Sequence, residues 1–220
     1  MSENKQNERW KVLLGALIVQ MVLGTVYAFS VFVKPLELEL GWERTTTQWA
    51  FSFALMSFAA VMIPAGRLQD KIGPRKVASI GGVLLGLSFL LGSVFVTETR
   101  PWALYLTYGI LGGAGIGFAY VCPIAAAMKW YPDKKGMVTG MSVAGFGAGA
   151  LFFAGPASTL LLPSGSGPGS DPMGLSQILH VALGISQGSG FGLGWKTFFA
   201  LHGITSTVLV LIGASFLKNP

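Results

Sequence analysis

The chain has 220 residues, 52% hydrophobic and 11% charged, with a mean hydropathy of +0.62. A water-soluble domain carries about 25% charged residues, so this composition excludes one; the apolar surface needs lipid as its solvent. The formal net charge of +6 would suit nucleic acid, but the basic residues lie at the ends of apolar runs, and that placement argues against such a partner.

Residues 1–11 form a polar tail carrying Lys5, Arg9 and Lys11. A spanning helix needs roughly 20 mostly apolar residues, and six such runs follow in chain order. They are expected at Val12–Val33, Trp49–Ala65, Val77–Val96, Ala103–Ala127, Val138–Leu162 and Thr197–Leu217. In a bilayer core the backbone has no water to bond, so each run is helical or part of a closed barrel. Continuous apolarity without alternation excludes the barrel. The first run has a basic start and small residues near Ala28, as a leader peptide does, but it stays apolar through Phe32. We expect it to be kept as a span. The fold class is therefore an all-α membrane protein of six transmembrane helices.

The charges give the expected orientation. Lys5, Arg9, Lys11, Arg67, Lys71, Arg75, Lys76, Lys129, Lys134, Lys135 and Lys218 fall on one side; only Lys34, Arg44, Arg100 and Lys196 fall on the other. The positive-inside rule then places both termini in the cytoplasm, with the chain in the cell membrane. Trp10, Trp49, Trp102, Trp130 and Trp195 sit near span ends, where indole rings favour the headgroup level. The lone Cys122 lies within an apolar run and reads as a packing residue.

Gly66, Leu68, Asp70, Lys71, Gly73 and Arg75 form a short, charged turn between the second and third runs. Their order matches Gly-x-Leu-x-Asp-Arg/Lys-x-Gly-x-Arg/Lys, so the chain resembles the major facilitator superfamily of transporters. Two further stretches narrow the resemblance: Gly112 to Tyr120 leading into Lys129 to Gly136, then Ala144 to Gly149. With Tyr27, Pro35 and Gly41-Trp42, they resemble the oxalate:formate antiporter family over about residues 10 to 160 and again from Trp195.

That resemblance implies the N-terminal half of a twelve-helix carrier of small carboxylates. Its partner would be a C-terminal six-helix half, whether missing here, a separate chain, or replaced by self-association. The expected function is alternating-access transport of oxalate, formate or monocarboxylates by exchange. A non-transporting six-helix fragment, or a regulatory partner of a complete transporter, fits the same residues. The spans hold no catalytic or metal-ligating cluster, so an enzyme, a metal or a cofactor is not expected.

Tyr27 and Tyr120 match cavity-lining positions of the resembling family, and a phenol can donate to a carboxylate. Phe146 stands where that family often has another tyrosine, which removes a donor. Gln20 and Gln48 are weaker candidates, with Gln48 expected in the outer headgroup zone. His202 is the one imidazole within a span; it is either a proton relay or a helix–helix hydrogen bonder. The resemblance assigns a gating role to the Asp70 loop, with Lys71 and Arg75 in the same charge cluster; anchoring to anionic lipid is the alternative.

Gly109, Gly113 and Gly117 recur every four residues in the fourth run, as close helix packing requires. Gly155-Pro156 is expected to bend the fifth helix, because proline removes a backbone donor. Residues 163–195 break the pattern. A Gly/Ser/Pro-rich linker precedes a possible interfacial helix around Leu175 to Leu183, in a long external loop.

Overall fold

The computed structural model describes residues 3–161 and 194–220, and these form helices long and apolar enough to cross a membrane six times. The first span joins α1 (Glu3–Leu23) to α2 (Ser30–Leu40) through a tighter three-residue-per-turn stretch, Gly24–Phe29. The second span is α3 (Arg44–Ile72) and the third is α4 (Pro74–Phe95). The fourth begins as α5 (Pro101–Leu104), widens into a π-helical stretch (Tyr105–Gly112) and continues as α6 (Gly113–Trp130). The fifth is α7 (Lys135–Leu161) and the sixth is α8 (Trp195–Phe216).

Several ends differ from the sequence expectation. The first helix runs past Val33 to Leu40, taking in Lys34, Pro35, Glu37 and Glu39. The second starts at Arg44, ahead of Trp49, and ends at Ile72, beyond Ala65. A helix satisfies its own backbone wherever it lies, so it continues into the aqueous layer; apolarity marks only the part inside lipid. The stretch read as a charged turn is therefore mostly helix. Gly66, Asp70 and Lys71 lie in the last turns of α3, and Gly73 alone makes the break. Its φ of 91° and ψ of 155° fall in a region that is essentially glycine's. Pro74 then opens α4 at a position where a missing N–H costs nothing.

The first span is the axis of the bundle, with 67% of its apolar window buried against 17% for the second. It packs on the fourth, fifth and sixth spans; the third packs on the fourth and sixth. Glycine allows these approaches. A Cβ on Gly81 would lie 2.5 Å from the Gly115 carbonyl oxygen, and one on Gly117 would lie 2.8 Å from that of Phe58. Gly109, Gly113 and Gly117 all face the second span, so the four-residue stripe is a packing seam. Cys122 is buried, its thiol 3.2 Å from the Phe118 carbonyl oxygen.

Trp10, Trp49 and Trp102 are exposed at span ends, whereas Trp130 and Trp195 are buried. The Trp130 indole donates instead to the Lys218 carbonyl at 2.7 Å, a partner that only the folded bundle supplies. The surroundings of Gly155 and Pro156 lie outside the described residues, as do the linker and interfacial helix expected within 163–195.

Candidate functional site

In a three-residue turn, successive side chains step round the axis faster than in an α-helix. Over Gly24–Phe29 this leaves Val26, Ala28 and Phe29 buried and turns Tyr27 outward, 51% exposed. The Tyr27 ring meets Phe146 of the fifth span edge-on, centroids 5.1 Å apart. Phe146 also meets Tyr120 of the fourth span at 4.9 Å. Gln20, fully buried about two turns before Tyr27, donates through Nε2 to the Tyr120 carbonyl oxygen at 3.3 Å. Its Oε1 has no partner among the described residues.

Four of the sequence candidates thus come together from three spans. A fifth member, Phe58 of the second span, lies 5.2 Å from Tyr120 and 6.3 Å from Phe146. The sequence offered no sign of it, since nothing there separates Phe58 from Phe51 or Phe53. The resulting surface is aromatic: it presents the Tyr27 phenol and the half-buried Tyr120 and Phe58, with Phe146 and Gln20 buried behind them. It can hold a flat, polar-edged solute by ring contact and hydrogen bonding.

His202 does not join this group. It is buried behind the first span, 4.5 Å from the Phe89 ring centroid and 4.3 Å from that of Phe153. Its Nε2 lies 3.4 Å from both Thr25 Oγ1 and Ser206 Oγ. That is the helix–helix arrangement, in which a buried polar group must find a partner.

A second cluster closes one end of the bundle. Asp70 Oδ1 lies 3.7 Å from Lys129 Nζ, and the same amine donates to Asn219 Oδ1 at 3.4 Å. Glu8 pairs with Lys218 and, at 3.0 Å, with Lys11. Arg9 donates to Asp133 at 2.7 Å and lies over the Tyr131 ring, 4.3 Å from its centroid. A backbone hydrogen bond, and then the Arg9 guanidinium, hold the Asp133 carboxyl below the usual range. Burial raises the Tyr131 phenol. Lys71 and Arg75 are exposed at the same end. At the other end the Trp42 indole donates to the Glu98 carbonyl oxygen at 2.8 Å, and the Tyr105 hydroxyl to that of Thr46 at 2.9 Å.

These features define a multi-pass membrane protein with an aromatic surface shared by the first, second, fourth and fifth spans and a charge-tied end. A sequence profile described as Major Facilitator Superfamily matches residues 13–220. The chain belongs to the Major Facilitator Superfamily, and its six spans correspond to the N-terminal half of that fold. It is 35% identical over 162 residues to the oxalate:formate antiporter of Oxalobacter formigenes, covering 72% of this chain and 37% of that protein. It is 34% identical over 152 residues to the MFS-type transporter YhjX of Escherichia coli (strain K12), covering 68% of this chain and 37% of that one. Apicoplast pyruvate carrier 1 of Toxoplasma gondii is 26% identical over 260 residues, 98% of this chain and 47% of the carrier. The chain thus spans between 37% and 47% of the length of these relatives.

Proposed function

We propose that this chain is the substrate-contacting N-terminal half of a carrier that exchanges small carboxylates across a cell membrane. The observation that carries the reading is the convergence of Tyr27, Tyr120 and Phe146 in one aromatic cluster, with Gln20 buried beneath it. Relatives named for oxalate and formate exchange and for pyruvate support the substrate class. A planar carboxylate suits the surface: its faces pack on rings and its oxygens accept from phenols.

A carboxylate within a bilayer also needs a cationic or strongly donating partner. The described spans carry their Lys and Arg near their ends, so in this reading a second six-helix half supplies the cation. Asp70 with Lys129 then forms part of the gate at the basic end, which faces the cytoplasm. Reagents that cannot cross the membrane should label a cysteine at Lys134 from the cytoplasmic side only.

The test is reconstitution of the full-length protein in vesicles, loaded with one carboxylate and offered a panel of labelled mono- and dicarboxylates. Saturable uptake that requires internal carboxylate is expected. Absence of uptake for every member of the panel would end the proposal.

A further inference from the structure

We infer that His202 is a positioning residue: through Thr25 it ties the sixth span to the 3₁₀ stretch of the first and thereby fixes the ring of Tyr27. The starting point is the stretch itself. Runs of this geometry beyond three or four residues are uncommon, because their hydrogen bonds are poorer than those of an α-helix. Gly24–Phe29 holds it for six residues in the middle of a span. Something outside the helix must favour it.

Two contacts bear on it, at the adjacent residues Gly24 and Thr25. A Cβ on Gly24 would overlap the Phe146 carbonyl oxygen, so the backbones of the first and fifth spans touch there. The second contact is with His202. The Thr25 hydroxyl donates to the Val22 carbonyl oxygen at 2.8 Å. With its proton so placed, Thr25 Oγ1 can only accept from the imidazole 3.4 Å away. The tie uses the tautomer with the proton on Nε2, and Ser206 Oγ at 3.4 Å is the second oxygen facing that atom. The bond is long, but the surroundings are apolar. Rings of Phe32, Phe89, Phe153 and Phe198 wall the imidazole. In such a site an N–H bonded to nothing is costly.

Tyr27 lies two residues beyond Thr25 on the same stretch. Relaxing three residues per turn to 3.6 changes the side-chain direction by about 20° per residue. Released from His202, the stretch relaxes and Tyr27 turns away from the edge of Phe146. The consequence for transport rests on the reading of Tyr27 as part of the substrate surface.

The experiment uses the full-length protein with 3-fluorotyrosine at position 27, read by fluorine NMR, alongside carboxylate uptake in vesicles. Thr25→Val keeps the shape and removes the hydroxyl; His202→Ala removes the imidazole; His202→Gln keeps an N–H near the Nε2 position. Thr25→Val and His202→Ala should each shift or broaden the fluorine signal and raise KM roughly five-fold, the worth of about one hydrogen bond, with kcat little changed. The double variant should be no worse than either single one, and His202→Gln should restore both readouts. An unmoved signal in Thr25→Val overturns the inference, as does a moved signal with unchanged KM where Tyr27→Phe itself raises KM. A moved signal with uptake insensitive to Tyr27→Phe upholds the tie and removes Tyr27 from the substrate surface.

Discussion

Tyr120 and Phe146 meet edge to face, with ring centroids 4.9 Å apart and planes at 72°. This contact joins the fourth and fifth spans at the point where Tyr27 and Phe58 also arrive. Tyr120→Phe keeps the ring contact and removes the phenol donor. We expect the thermal stability to hold and, on the proposed function, KM for carboxylate uptake to rise about five-fold, as for one lost hydrogen bond. Kinetics in vesicles check this; an unchanged KM would take Tyr120 out of the substrate surface.

The glycines divide into two groups with opposite expected outcomes. At Gly81 an added Cβ would meet the backbone of Gly115 and Ala119 at 2.5 and 2.6 Å, and backbone cannot step aside. Gly81→Ala should cost about 1–3 kcal/mol and lower the melting temperature. Gly66 and Gly140 have open space around the same position, so Gly66→Ala and Gly140→Ala should melt as the unaltered protein does. Equal melting of all three would contradict the packing described.

Asp70 and Gly73 separate gating from folding. The Asp70–Lys129 pair is long at 3.7 Å, with side chains 68% and 43% exposed. An exposed pair contributes about 0–1 kcal/mol, so Asp70→Asn should leave stability almost intact. A large fall in transport is nonetheless expected if the carboxylate gates. Gly73→Ala should behave in the reverse order, losing about 1–3 kcal/mol to strain at its positive φ. Melting and uptake measured together decide; full transport by Asp70→Asn removes the gate.

The legible part of this chain was its lipid-facing chemistry. Continuous apolar runs marked the spans because a bilayer demands them, and the spacing of Gly109, Gly113 and Gly117 marked a packing seam. Helix ends were less legible. The turns that carry Lys34, Glu37, Asp70 and Lys71 lie beyond the apolar runs and continue the helices on their own backbone bonds. Tyr27, Tyr120 and Phe146 were named from resemblance, but their meeting depends on the 3₁₀ stretch that turns Tyr27 outward. No residue in Gly24–Phe29 announces that geometry; contacts with Phe146 and His202 bear on it. Phe58 was missed for a related reason, because which phenylalanine of the second span faces Tyr120 depends on packing alone.

The Arg9–Asp133 tie gives a pH expectation. The folded carboxyl is held below its ordinary range, so its stabilising effect is present above the unfolded value. It is lost as pH falls through the depressed folded value. The tie is intact at neutral pH and opens only in acid. A backbone hydrogen bond is the largest single cause, and Arg9 adds both a hydrogen bond and its charge. Arg9→Gln should therefore raise the Asp133 value only part of the way back, as read by NMR of labelled aspartate. Complete return would mean that the backbone hydrogen bond, which the substitution leaves in place, lowers the carboxyl by nothing.

The most direct measurement concerns the aromatic surface itself. A cysteine placed at Tyr27, 51% exposed, can be labelled while native Cys122, fully buried, stays silent. In the full-length protein, saturating carboxylate should slow labelling at position 27 and leave unchanged a cysteine at Val94, which is 68% exposed at the end of the third span. Equal labelling of position 27 with and without carboxylate, in a protein that still transports it, would contradict the account.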